Sequence, residues 1–85
     1  MQLVWDELAW DDYLFWQQQD RKLVRRINLL IADIQRHGND GIGKPEPLRP
    51  GFRGYPLRRI TAEHRLAYKI VGDEIRIAQC HLHYT

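Results

Sequence analysis

Three stretches of this 85-residue chain gather residue types that could act on a phosphorus centre or another charged group. Glu46 stands between Pro45 and Pro47. Each proline biases the residue before it toward extended geometry, so Glu46 lies on a stiff segment that is poor for packing and good for fixing a side chain. Read alone, it is equally a solvated loop acid. The run from Leu57 to Leu66 carries Arg58, Arg59, Glu63, His64 and Arg65. Read alone, it is equally a charged strand edge that discourages aggregation. Near the end stand His81, His83 and Tyr84. Two histidines at i and i+2 share one side of a strand and could hold a metal ion, but no cysteine cluster or second histidine pair at ligand spacing accompanies them. Trp5, Trp10 and Trp16 read as packing on a helical side, not as stacking platforms for bases.

Together the three stretches have a chemical logic. Cleaving RNA through its own 2′-hydroxyl needs a base for that proton, a cation for the charge gathered at phosphorus, and an acid for the leaving 5′-oxygen. A carboxylate, an arginine and a histidine supply these without a metal ion or other cofactor. Histidine titrates near neutral pH, and arginine presents a permanently charged planar fork to phosphate. The residues therefore point to phosphodiester cleavage or to RNA binding without cleavage, and leave both open.

The elements that must position these groups follow from patterning. Gln2–Trp5 is short, apolar and β-prone, an edge strand or one that pairs with a later strand. Asp6 offers an N-cap to a helix running to about Gln19, with Ala9, Tyr13 and Trp16 on one face and Trp10 and Leu14 beside them. Asp20 caps a second helix. In it Leu23, Ile27, Leu30 and Ile34 form an apolar stripe widened by Val24 and Ile31, opposite Arg21, Lys22, Arg25, Arg26 and Asp33. That helix stops at His37-Gly38, and the short link predicts an antiparallel hairpin. Residues His37 to Gly54 hold five of the six glycines and three of the four prolines, which marks them as loop. Tyr55–Ile60, His64–Val71 and Glu74–His83 read as strands, the last two joined by a Gly72-Asp73 turn. Counting from that turn pairs Ile70 with Ile75 and Tyr68 with Ile77. Leu66, Tyr68, Ile70, Ile75 and Ile77 then face the helices, and Arg65, Lys69, Arg76 and Tyr84 form a wet cationic face. The fold class expected is α+β: a two-helix hairpin on one face of a twisted antiparallel sheet, in one domain over residues 1–85.

Composition bounds the remaining possibilities. The formal charge is only +2, but it is unevenly spread: Met1 to Asp20 holds five acids and no Lys or Arg, whereas cations dominate from Gly43 to Arg76. Such polarity suggests an acidic helical pole and an anion-binding surface elsewhere. The lone Cys80 excludes an internal disulfide and fits a reducing compartment. No apolar run approaches the roughly 20 residues of a membrane-spanning helix, and the N-terminus has no signal-peptide pattern, so a soluble cytoplasmic protein is expected. No recognition-helix pattern suggests a DNA-binding regulator.

The chain also carries the text of a known family. Val4-Trp5, Trp10-Asp11-Asp12-Tyr13-Leu14 with Trp16, Ile27-Asn28, Gly43 through Leu48, Arg58-Arg59-Ile60-Thr61, Glu63-His64-Arg65-Leu66 and the closing His83-Tyr84 resemble, in order and spacing over most of the chain, the YoeB/Txe-type toxins of the RelE/ParE superfamily. The resemblance implies a RelE-like, microbial-RNase-type fold and a metal-independent endoribonuclease that enters the ribosomal A site, cuts mRNA and stops translation. It implies Glu46 as general base, Arg65 as the phosphate clamp, His83 as general acid and Tyr84 as a group that orients substrate or supports the histidine. Arg59 and Glu63 would be supporting groups, and Lys44, Arg49 and Arg58 RNA contacts. The implied partners are the ribosome, mRNA and an antitoxin of the YefM/Axe kind that silences the toxin with an acidic, partly disordered segment. DNA contact would belong to the antitoxin, and homodimerisation is left open. Arg49 stands where the family often has lysine, Tyr55-Pro56-Leu57 replaces a more usual aromatic-and-serine stretch, and Thr85 extends past the usual final tyrosine.

Overall fold

The computed structural model describes residues 1–42 and 55–81. The chain runs β1 (Gln2–Trp5), α1 (Glu7–Gln19), α2 (Arg21–His37), β2 (Leu57–Arg59), β3 (Arg65–Val71) and β4 (Glu74–Gln79). The strands form one four-stranded sheet in the order β1-β4-β3-β2. The α+β architecture matches the expectation, with one difference: β1 pairs parallel to β4, so the sheet is mixed. Parallel neighbours need a long crossover, and the helical hairpin lies within the chain that links β1 to β4. Backbone bonds from Gln2 N to Asp73 O (2.8 Å) and from Asp6 N to Ile77 O (2.9 Å) extend that pairing at both ends.

Asp20 alone links the helices. Its backbone N–H closes α1 on Trp16 O, and its side chain accepts from Lys22 N at 3.0 Å to cap α2. Asp6 takes the N-cap position of α1 in extended geometry, but its side chain makes no capping bond. Gly38 ends α2 at φ 63°, where a residue with a Cβ is disfavoured. The stripe of α2 is buried as the spacing predicts: Ile27, Leu30, Ile31 and Ile34 lie in one core with Leu66, Tyr68, Ile75 and Ile77. The face of α1 differs from expectation. Ala9, Asp12 and Trp16 are buried, whereas Trp10 and Leu14 are 44% and 40% exposed. Trp10 instead stacks on Tyr13, 5.8 Å between centroids.

The register of β3 and β4 is the expected one near the turn, Ile70 with Ile75 and Tyr68 with Ile77, but a bulge follows and Ala67 pairs with Gln79. The bulge turns Gln79 to the face away from the helices and Cys80 into the core. β4 therefore ends at Gln79, not at His83: Cys80 N donates to Asp12 Oδ2 (3.0 Å) and Cys80 O accepts from Trp16 Nε1 (2.8 Å), so α1 has taken the groups a ladder would use. The outer face is also less wet than expected. Lys69 and Arg76 are exposed, but Arg65, Ala67, Leu57 and Gln79 are buried on that side.

Candidate active site

Of the residues singled out in the sequence, Arg58, Arg59, Glu63, His64, Arg65 and His81 are described. Lys44, Glu46, Arg49, His83 and Tyr84 lie outside the described residues.

Arg65 opens β3 and is 5% exposed. The turn before it is shaped by Thr61, whose hydroxyl accepts from Glu63 N (3.2 Å) and His64 N (3.1 Å). Ile60 N and Thr61 N both close on His64 O. Arg65 Nη1 binds the carbonyls of that turn: Thr61 O at 2.7 Å, His64 O at 3.1 Å and Ala62 O at 3.3 Å. One end of the fork is thus seated on the backbone, which fixes the plane of the guanidinium at the buried start of β3. Glu63 is exposed on the same turn. Arg59 pairs with Arg65 across β2 and β3, and its carbonyl accepts from Arg26 Nη2 at 3.1 Å. Among the described residues, Arg59 Nε and both amide atoms of Gln79 are buried without a partner. Arg59, Arg65 and Gln79 share the face away from the helices. Buried polar groups are rarely left unmet, and a bound ligand is one way to satisfy them.

Arg58 corrects an expectation. The resemblance implies an RNA contact, yet its side chain is 0% exposed. Strand parity is the reason: Arg58 pairs with Leu66, which faces the core, so Arg58 points into the helical side. There it meets Asp33 Oδ2 at 2.8 Å and the backbone carbonyls of Gly38, Asp40 and Ile42 at 2.6, 2.7 and 2.6 Å. The hydrogen bond from Arg58 holds the Asp33 carboxyl below its ordinary pKa. Helical spacing alone puts Asp33 on a solvated face. Tyr68 offered the missing signal: a buried tyrosine must find a hydroxyl partner, and here the hydroxyl meets Arg58 Nε at 3.3 Å and Asn39 Oδ1 at 3.0 Å.

A second cluster was also missed. His64 and His81 lie with ring centroids 5.2 Å apart, each edge-on to Trp16 at 4.7 and 4.9 Å. Burial, reinforced by the neighbouring His81, lowers the pKa of His64. Burial raises that of Asp12, whose carboxylate lies 4.0 Å from His81 Nδ1. The Cys80 thiol is pushed up to about 12 by burial and then by Asp12, which makes it a packing group and not a nucleophile at neutral pH. Among the described residues, no three His, Cys, Asp or Glu side chains converge in a way that could hold a metal ion.

A helical hairpin on one face of a four-stranded mixed sheet is also the fold of solved bacterial YoeB toxins, one of them the YoeB/ParE toxin from Agrobacterium tumefaciens (TM-score 0.92, 48% identity, 99% and 100% of the two chains). The model of the YoeB-like toxins of bacterial type II toxin-antitoxin systems matches residues 5–84, and the chain belongs to that family. It is 50% identical to Toxin YoeB of Escherichia coli K12 over 84 residues, covering 99% of this chain and 100% of that one. It is also similar to the YoeB dimer from Staphylococcus aureus (TM-score 0.91, 44% identity, 99% and 98% of the two chains). The toxin in the heterotetrameric YoeB-YefM complex of the same organism gives a TM-score of 0.88 at 44% identity, again over 99% and 98%.

Proposed function

We propose that this toxin is a metal-independent endoribonuclease that cuts mRNA in the ribosomal A site and so inhibits translation. The observation that carries the reading is the seat of Arg65. A guanidinium whose Nη1 is already bonded to turn carbonyls needs little reorganisation to meet a phosphate, and preorganised charge is the largest single catalytic term in many enzymes. Glu46, on its Pro-Glu-Pro segment, takes the proton of the 2′-hydroxyl. The freed oxygen attacks the adjacent phosphorus, and Arg65 stabilises the charge that gathers on the phosphoryl oxygens. His83 gives its proton to the departing 5′-oxygen, while Tyr84 orients the substrate. Arg59 and Glu63 support the site, and Lys44 and Arg49 contact the RNA backbone. The products are a 2′,3′-cyclic phosphate, which opens to a 3′-phosphate, and a 5′-hydroxyl. A toxin of this kind acts in the cytoplasm, where ribosomes are. A YefM-like antitoxin silences it by laying an acidic segment over the cationic side, and dimerisation follows the pattern of the S. aureus relative.

The nucleophile distinguishes this mechanism from metal-assisted hydrolysis. A message with one 2′-deoxy sugar at the cut position should resist cleavage there and be cut normally elsewhere. A short model substrate should still be cut slowly in excess EDTA; a model is needed because the ribosome itself requires magnesium. Cleavage at the deoxy position, or activity lost on chelation and restored by metal, would overturn the mechanism and favour a metal site at His81 and His83. Binding to the ribosome with no cleavage at all would leave a docking module instead of an enzyme.

A further inference from the structure

Gln79 is 1% exposed on the face of the sheet away from the helices, and among the described residues neither its amide nitrogen nor its amide oxygen has a partner. A carboxamide offers one acceptor and two donors, and leaving it unmet in a buried place costs stability. An apolar side chain of similar length would fill the position without that cost. Its neighbours are cations. Gln79 pairs with Ala67 across β4 and β3, and Arg65, two residues before Ala67, is its diagonal neighbour, a separation of about 7 to 8 Å in such a ladder. Arg59 faces Arg65 from β2, and its Nε is also buried without a partner among the described residues. The row Leu57, Ala67, Gln79 lies beside the pair Arg59, Arg65, and the small side chain of Ala67 is its floor. The unmet atoms are therefore a donor on Arg59 to one side of Arg65, and a donor next to an acceptor on Gln79 to the other.

A phosphate carries only acceptors. It answers Arg59 Nε and the amide nitrogen, but Gln79 Oε1 needs a donor. A ribose hydroxyl donates from a single point and cannot meet both amide atoms squarely. The edge of a nucleobase can, because donor and acceptor stand side by side on it and a carboxamide meets such an edge with two bonds at once. We propose that Gln79 is a substrate-reading residue: its amide pairs with the edge of the base next to the phosphate held at Arg65, and Arg59 Nε meets the same stretch of backbone. This rests on the reading of Arg65 as the phosphate clamp of an RNA-cleaving site. Burial sharpens the discrimination. Where water is excluded, a base that cannot answer both amide atoms leaves them unpaired, and sites built on hydrogen bonds reject wrong substrates most strongly in that way.

The test uses Gln79→Met and Gln79→Leu, which keep the bulk and remove the amide. Ribosome-bound messages carry each of the four bases in turn on either side of the cut, and kcat/KM is measured for each by primer extension. The wild type should prefer one base at the position it reads. A two-bond contact to a base edge is worth about 5- to 150-fold in discrimination, so both variants should lose a factor of that size on the preferred message and stay within about twofold of wild type on the least preferred. The rates at that position should thus converge. The melting temperature of the free toxin should hold or rise, because a buried unmet group has gone. A structural role for the amide predicts the opposite: all rates fall together, or melting drops by more than about 5 °C in both variants. Either result overturns the proposal, as does a wild type indifferent to the flanking bases, or variants that keep its preference. Failure of both variants to fold counts against it too, since the amide would then hold the protein together. Absence of cleavage by the wild-type toxin is a different result: it removes the enzyme reading, and base reading falls with it.

Discussion

Arg58 and Arg65 stand seven residues apart with the same chemistry, and the fold gives them different work. Parity decides it. Arg58 shares its register with core-facing Leu66, whereas Arg65 shares its own with Arg59 on the outer face. The sequence shows two arginines in a charged run, and only the pairing between strands says which one is interred. No spacing rule could have placed Arg65 Nη1 on the turn carbonyls of Thr61, Ala62 and His64, because that seat is made by the turn and not by the strand. At this scale the expected outcome is separable. Glu46→Ala, Arg65→Ala and His83→Ala should each lower mRNA cleavage by about 10² to 10⁴ while melting stays cooperative. Wild-type toxicity in any one of them would remove that residue from the mechanism. Arg58→Met should instead lose about 3 kcal/mol or more of stability, because the Tyr68 hydroxyl and the carbonyls beyond α2 lose a fully buried charged partner. A chemical melt reads this directly.

Elements show why the sheet and α2 were legible and the strand ends were not. The stripe Leu23, Ile27, Leu30, Ile34 has one period and one face to bury, so its pattern and its structure agree. The Gly72-Asp73 turn fixes the register beside it for the same reason. Away from the turn the bulge between Ala67 and Tyr68 shifts the register, and nothing in an alternating sequence announces a bulge. β4 then stops because α1 reaches it: Asp12 and Trp16, one helical turn apart, hold the N–H and carbonyl of Cys80. In the sequence Trp16 reads as ordinary packing and Asp12 as part of the family text, since the contact spans 64 to 68 residues of chain. This clamp has a pH signature. Burial raises the pKa of Asp12 in the folded state, so its charged form opposes folding, and the stability it gives below the unfolded value of about 3.9 is lost as pH rises through the folded value. His64 is shifted the other way: its contribution is present above about 6.5 and is lost as pH falls through its lowered folded value. Asp12→Asn keeps an acceptor for Cys80 N and should gain stability relative to wild type as pH rises from about 4 to about 7. Asp12→Ala should cost about 1 to 3 kcal/mol, since Cys80 N is left unmet. Denaturant melts across pH check both. A gap between the Asp12→Asn variant and wild type that does not widen with pH would remove the buried charge from the account.

On the scale of the whole molecule the charge is polar more than it is large. The first 20 residues carry acids and no Lys or Arg, while the formal net charge is only +2. Lys69 and Arg76 are exposed partners across β3 and β4 on the face away from the helices. Arg76 is engaged with Glu74 at 3.1 Å, but an exposed pair of that kind contributes little and exchanges readily. A flexible acidic segment of an antitoxin would meet this face first, because exposed opposite charges steer encounter and hold loosely. A ribosome's phosphates would meet it in the same way, so antitoxin and ribosome should compete. Lys69→Glu with Arg76→Glu should therefore weaken antitoxin binding by at least about tenfold at low salt and flatten its salt dependence. The melting temperature should move little, because both side chains lie in water. Titration of purified antitoxin at about 50 and about 300 mM salt, by calorimetry, measures both effects. If the doubly substituted toxin binds antitoxin as the wild type does at both salts, while charge changes at Glu7 and Asp11 on α1 alter binding, silencing acts through the acidic helix and the cationic face serves the ribosome alone.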